Sequence, residues 1–253
     1  WYGNIEKGQA IRLAFVLVGL WWFGFAQITF YHLRREEQRK PSTGNYLFNG
    51  YKELKKVWDQ LKHTQRLRSF LWAYFFYNMG VQTVMLAATL YGKSELNIPT
   101  TNLILAILII QIVAIPGAIL MAKMASKWGS FNTLMFAVLI WIGGCVMGYY
   151  LPRNNIELFY ALAIIVGFVM GGIQSVSRST YSKLMPATHD TTSYFSFFDV
   201  TEKIAIVIGM FSFGTINEIT GSQRNSVLAL GIFFIIGFIL LYRTSKLNKY
   251  ATV

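Results

Sequence analysis

An aspartate, a glutamate and a lysine interrupt an otherwise apolar stretch: Asp199, Glu202 and Lys203 lie within Thr192–Asn217, TSYFSFFDVTEKIAIVIGMFSFGTIN. The stretch is long enough to cross a bilayer, whose hydrocarbon core of roughly 30 Å needs about 20 apolar residues. At ~1.5 Å of rise per residue, Glu202 and Lys203 fall about 5–6 Å from the centre of the segment. A charge at that depth costs roughly 2.5–3.5 kcal/mol on insertion scales, so it faces protein or water and often serves transport. The plainer alternative is mutual neutralisation of Asp199 and Lys203, four residues apart at a helix end, since unbroken apolar sequence begins only at Ile204.

Two further apolar segments carry polar residues at helical spacing. Tyr74, Asn78 and Gln82 are four apart and share a face, with Tyr77 beside them. Gly167, Gly171, Gln174, Ser175 and Arg178 follow at steps of three or four, and the Gly167-x-x-x-Gly171 pair permits close backbone approach. In the third segment Ser196, Asp199 and Lys203 align, with Glu202 alongside. Any one stripe can be interhelical glue, a donor and acceptor satisfied by a neighbour. Three together, two of them charged, point to helices that share an aqueous cavity. The candidate solute or ion pathway is therefore Tyr74, Asn78, Gln82, Gln174, Arg178, Asp199, Glu202 and Lys203.

The elements that must position these residues are membrane helices. The chain is 54% hydrophobic, 16% aromatic and only 13% charged, where a soluble domain carries about 25% charged residues. Seven segments of spanning length are expected, at Ile11–Tyr31, Ser69–Tyr91, Asn102–Met124, Phe131–Leu151, Ile156–Ser177, Tyr194–Asn217 and Ser226–Tyr242. Pro116 inside the third is tolerable where neighbouring helices satisfy the freed carbonyl. The net charge of +12 is concentrated, with ten of the 23 basic residues in the loop His32–Arg68. That distribution marks membrane topology and argues against a nucleic-acid partner. Lys and Arg number seventeen on the side of this loop and five on the other, with Lys203 between, so the loop and the C-terminus are expected in the cytoplasm and the N-terminus outside.

Within the loop, a turn-rich part at Pro41–Asn45 precedes Tyr46–Thr64. There Leu47, Tyr51, Leu54, Val57, Trp58 and Leu61 recur at three- and four-residue steps opposite a lysine-rich face. An amphipathic helix on the cytoplasmic leaflet is expected. Trp1–Gln9 lacks the pattern of a signal peptide, and an opening Trp1 is expected of a piece of a longer chain.

Enzymatic chemistry finds no footing in these residues. His32, His63 and His189 form no metal-ligand spacing with one another or with the single Cys145, and no metal or cofactor is implied. No G-x-S-x-G elbow, P-loop or G-x-G-x-x-G is present.

At the three stripes the chain resembles the major facilitator superfamily, and within it the branch of vacuolar amino-acid effluxers of autophagy and their bacterial relatives. The likeness is carried by FLWAYFFYNMGVQTVMLAATLYG (Phe70–Gly92), GFVMGGIQSVSRSTYSKLMP (Gly167–Pro186) and YFSFFDVTEKIAIVIGMFSFG (Tyr194–Gly214). The resemblance implies an all-α membrane protein, the second half of a twelve-helix carrier preceded by its sixth helix. Residues 1–31 would be an external segment and that sixth helix, 32–68 the cytoplasmic basic loop, and 69–253 a six-helix bundle of two inverted three-helix repeats. The partners implied are the lipid bilayer, a small polar solute and the N-terminal half of the same chain. The superfamily's cytoplasmic-turn signature falls on Ala122, Ser126, Lys127 and Gly129, where its acid is absent. Many members of the branch also carry an acid where Met79 stands. A seven-helix receptor and a membrane scaffold without solute traffic remain as alternatives to the carrier.

Overall fold

The computed structural model of the chain describes residues 7–32, 46–188 and 190–247, and they form eight helices. These are α1 (Lys7–His32), α2 (Tyr46–Leu61), α3 (Gln65–Ser94), α4 (Thr100–Trp128), α5 (Ser130–Tyr150), α6 (Ile156–Leu184), α7 (Thr191–Thr220) and α8 (Gln223–Lys246). The turn expected at Pro41–Asn45, the basic cluster Arg34–Lys40, His189, Lys249 and the side chain of Leu47 lie outside the described residues.

Five helices among the described residues, α1, α4, α5, α6 and α8, are long and apolar enough to cross a membrane, which makes this a multi-pass integral membrane protein. At 30 residues each, α3 and α7 have the length and fall short on apolarity alone. The deficit has a local cause. Asn78, Gln82 and several tyrosines dilute α3, and Asp199, Glu202 and Lys203 dilute α7.

Each helix ends where backbone chemistry requires it. Gly129 (φ 85°) separates α4 from α5, and Gly221 (φ 65°) turns the chain out of α7 in the left-handed region that favours glycine. Asn155 caps α6, its side-chain oxygen accepting from the Leu158 amide at 3.0 Å. α4 runs unbroken through Pro116.

The chain divides into two compact units, Trp1–Phe48 and Asn49–Val253. In the first, α1 presents a continuous apolar surface, with Phe15, Trp21, Trp22 and Phe30 all more than 65% exposed. In the second, α3 to α8 form a helical bundle joined by small-residue contacts. α4 lies along α6, where a Cβ on Gly167 or Gly171 would strike the backbone of Ile110 or Ala114. Gly117 of α4 in turn abuts the Phe168 carbonyl. α7 meets α3 at Gly209 against Met79 and Thr83, and α3 meets α8 at Gly80 against Phe234 and Gly237 against Tyr77. Trp141 of α5 stacks on Phe234 with ring centroids 5.4 Å apart. Close backbone approach of this kind supplies dispersion where lipid removes the hydrophobic driving force between helices.

The C-terminal part of α2 belongs to this second unit. Val57 and Leu61 are buried, Trp58 lies 6.1 Å from the Phe197 ring, and Tyr194 donates its hydroxyl hydrogen to Gln60 Oε1 at 2.9 Å. Tyr51, on the expected apolar face, is exposed.

Candidate functional site

The three polar stripes converge where α3 crosses α7 and α6. On α3, Tyr74 and Gln82 lie eight residues apart, two turns along one face, and both reach Glu202 of α7. Tyr74 donates to Glu202 Oε2 at 3.0 Å, and Gln82 Nε2 donates to Oε1 at 3.2 Å. Each carboxylate oxygen thus has its own neutral donor, and among the described residues Glu202 forms no ion pair. The close approach of Gly209 to Met79 and Thr83, two turns beyond Glu202, brings the two helices near enough for these bonds.

Asp199, three residues earlier, faces elsewhere. Its Oδ1 accepts from Arg178 Nη2 of α6 at 3.0 Å, with both side chains about half exposed. The Arg178 guanidinium also lies 5.7 Å from the Phe198 ring, which stacks on Tyr74 at 4.2 Å and packs against Tyr181 at 4.7 Å. An aromatic cluster therefore separates the Arg178–Asp199 pair from the Tyr74–Glu202 contact. The pairing of Asp199 with Lys203 considered from the four-residue spacing does not form. Lys203 is exposed and makes no ion pair among the described residues. A guanidinium presented from α6 reaches Asp199 with a planar fork, whereas a flexible lysine on the same helix must give up rotamer freedom to do so.

Between α3 and α6 the polar residues meet one another. Gln174 Nε2 approaches Asn78 Oδ1 at 3.5 Å, and the Tyr77 and Ser177 hydroxyls are 2.6 Å apart in the buried interior. Asn78 is 1% exposed, and its amide nitrogen has no hydrogen-bond partner among the described residues. Tyr74 and Asn78 are thus sealed, Gln82, Gln174 and Glu202 are half-buried, and Arg178, Asp199 and Lys203 are exposed. The eight expected residues divide into a buried floor and an open rim. Two members of this cluster, Ser177 and Tyr181, lie outside the three sequence stripes. Tyr181 is buried and donates to the Tyr194 carbonyl at 2.7 Å, joining α6 to the start of α7. A signal for the α3–α6 pairing does exist in the sequence, because GVQTV at Gly80–Val84 matches GIQSV at Gly172–Val176.

The other end of the bundle carries a separate cluster. Glu95, at the end of α3, accepts from Arg153 Nη2 at 3.3 Å and from Arg224 Nε at 3.2 Å. Arg224 also donates to the Tyr149 carbonyl, and the Asn154 amide bonds the Leu96 carbonyl. Four chain segments are joined there, far in sequence from the stripes.

The family described as vacuole effluxer Atg22 like matches residues 3–249. A Bacillus subtilis protein described as an uncharacterised MFS-type transporter, YxiO, is 31% identical over 94% of this chain and 54% of its own length. Autophagy-related protein 22 of Kluyveromyces lactis is 29% identical over 89% of the chain and 49% of its own length, and that of Saccharomyces cerevisiae strain YJM789 is 28% identical over 87% and 48%. The chain spans about half the length of these curated relatives. With all three stripes inside the matched region, the chain belongs to the Atg22-like family of major-facilitator-type membrane proteins.

Proposed function

We propose that this chain is the C-terminal half of a secondary transporter that moves a small polar solute, an amino acid being the best fit, by alternating access coupled to protons. In this reading α1 is the sixth helix of the parent, α2 lies in its cytoplasmic central loop, and α3 to α8 are six membrane spans. The N-terminus of the chain is then outside and the C-terminus in the cytoplasm. The polar rim of α3, α6 and α7 faces the N-terminal half across the solute cavity.

The observation that carries the proposal is the setting of Glu202, a carboxylate on α7 held by two neutral donors and, among the described residues, by no cation. Packing alone does not require it, and the chain supplies its own control. The displacement that takes Gly80–Val84 onto Gly172–Val176 also takes Gly117 of α4 onto Gly209 of α7, and the helix-ending Gly129 onto Gly221. It takes Ile110 onto Glu202 and Tyr74 onto Val166. The α4–α6 contact is thus the counterpart of the α3–α7 contact, and it closes with apolar side chains and glycine against backbone. These correspondences support two inverted three-helix repeats. A polar group at one crossing and apolar residues at its twin favour a functional origin for the polar one.

The test is solute flux by the full-length parent in proteoliposomes. Glu202→Gln keeps the shape and one acceptor oxygen while removing the charge; its amide nitrogen can only donate, so one of the two bonds from Tyr74 and Gln82 must reverse or break. The expected result is loss of pH-driven flux by about a hundredfold or more at equal incorporation, the usual scale for a positioned proton-transfer group. Flux and pH dependence equal to those of the parent would reject the coupling role.

A further inference from the structure

Two guanidinium groups at the α2 end of the bundle have no partner among the described residues, Arg68 in the first turns of α3 and Arg243 in the last turn of α8. They line one groove between these helices. The carboxylates nearest Arg68 in sequence do not neutralise it, because Glu53 and Asp59 are paired with Lys56 and Lys62 on α2 itself. α3 and α8 are stitched together at this groove by a 2.6 Å contact between the Ser69 and Thr244 hydroxyls, so its walls are fixed.

Below the arginines the groove turns apolar. Phe76 lies eight residues beyond Arg68, about 12 Å down the helix axis, and Leu240 faces it from α8. Trp58 and Trp72, both about half exposed, flank the mouth as tryptophans do at a membrane interface. A second apolar groove runs on the other side of Trp72, between α3 and α7, lined by Phe75, Phe197 and Ile204. It shares Trp58, Arg68 and Trp72 with the first. One cationic mouth therefore opens into two apolar channels that straddle α3.

We propose that this is a binding site for an anionic diacyl phospholipid, its phosphodiester held by Arg68 and Arg243 and one acyl chain lying in each groove. Guanidinium suits the task because its fork matches phosphate oxygens. The paired apolar channels select a lipid over a soluble phosphate, and the surplus of two positive charges selects an anionic headgroup over a zwitterionic one. Lys52, Lys55 and Lys56, exposed on α2, enrich the same lipids nearby without entering the grooves. The site requires only that the bundle lie in a bilayer and is independent of any transported solute.

The test is lipid retention by the purified full-length parent, read by native mass spectrometry after exposure to equal phosphatidylglycerol and phosphatidylcholine. Phosphatidylglycerol should be retained about tenfold over phosphatidylcholine, as expected of two basic contacts at a membrane surface. R68Q/R243Q should bring the two to parity, whereas K52Q/K55Q/K56Q should keep the preference. A measurement on folded protein without the arginine changes stands beside it. Acyl-brominated phosphatidylglycerol should quench tryptophan fluorescence more than brominated phosphatidylcholine does, and W72F should remove most of that excess. Equal retention of both lipids by the parent, or an undiminished preference in R68Q/R243Q, overturns the site. So does displacement of the lipid by glycerol 3-phosphate at equal concentration, which would show a simple anion site.

Discussion

Tyr74 gives its hydroxyl hydrogen to Glu202 at 3.0 Å across the crossing of α3 and α7, while its ring stacks on Phe198 at 4.2 Å. One side chain thus does two separable things, and a single substitution parts them. Tyr74→Phe keeps the stacked ring and removes the donor. A hydrogen bond to a charged group is worth about 1.5–3 kcal/mol, so flux should fall roughly tenfold or more if the bond orders the transport carboxylate. Tyr74→Ala should cost stability as well, through the lost ring. Proteoliposome flux and thermal melting measured on both variants check this, and equal flux for Tyr74→Phe and the parent would remove the hydroxyl from the mechanism.

The glycine contacts make a second, purely structural prediction. A Cβ on Gly117 would strike the Phe168 carbonyl, and one on Gly209 would meet the Met79 carbonyl, so backbone must move in both cases. Gly117→Ala and Gly209→Ala should each destabilise by about 1–3 kcal/mol, the range for overpacking. Gly231→Ala is the control, since nothing lies within 4 Å of the Cβ it would add. It should melt at or slightly above the parent temperature, because alanine is the better helix former.

Much of this architecture was legible from hydropathy. All seven expected apolar segments became helices, and six of them run three or more residues past an expected end, as α3 does from Gln65 to Ser94 around Ser69–Tyr91. The reason is physical: apolarity reports the hydrocarbon core, and a helix continues into water until a cap such as Gly129 or Gly221 stops it. The site was legible as three faces but not as pairs. Spacing on one helix suggested Asp199 with Lys203, while the fold pairs Asp199 with Arg178, twenty-one residues away. A 3.6-residue period fixes which residues share a face and leaves open which helix that face meets. The docking of α2 through Val57 and Leu61 was hidden for the same reason, since an amphipathic helix fits lipid and protein equally well.

The cluster around Glu95 predicts a third outcome. Its carboxylate, 14% exposed, holds Arg153 and Arg224 from two other segments. Both guanidiniums share Glu95 Oε1, so Glu95→Gln keeps an acceptor oxygen and removes its charge; the loss should fall mainly on the less exposed Arg224 bond, at about 1–2 kcal/mol, since the exposed Arg153 contact contributes little. The melting temperature should drop by several degrees, and the end of the bundle formed by 95–99 and 151–155 should exchange its amide hydrogens faster. Unchanged exchange there would mean that the Asn154–Leu96 backbone bond suffices on its own.

The Arg178–Asp199 bridge allows stability and mechanism to be separated. Both side chains are about half exposed, and exposed pairs contribute only about 0–1 kcal/mol, so the bridge does little to hold the bundle together. Arg178→Gln and Asp199→Asn should therefore melt within a degree or two of the parent. If the bridge between α6 and α7 closes one end of the solute path, both variants should nevertheless change flux several-fold. The charge-swapped pair Arg178→Asp with Asp199→Arg should recover much of it, because the attraction is restored with its direction reversed. Recovery needs the two side chains to meet during transport, as they do here at 3.0 Å. Should the swapped protein stay as impaired as the single variants while melting normally, each charge acts alone on the solute, and the bridge is only the resting place of two independent groups.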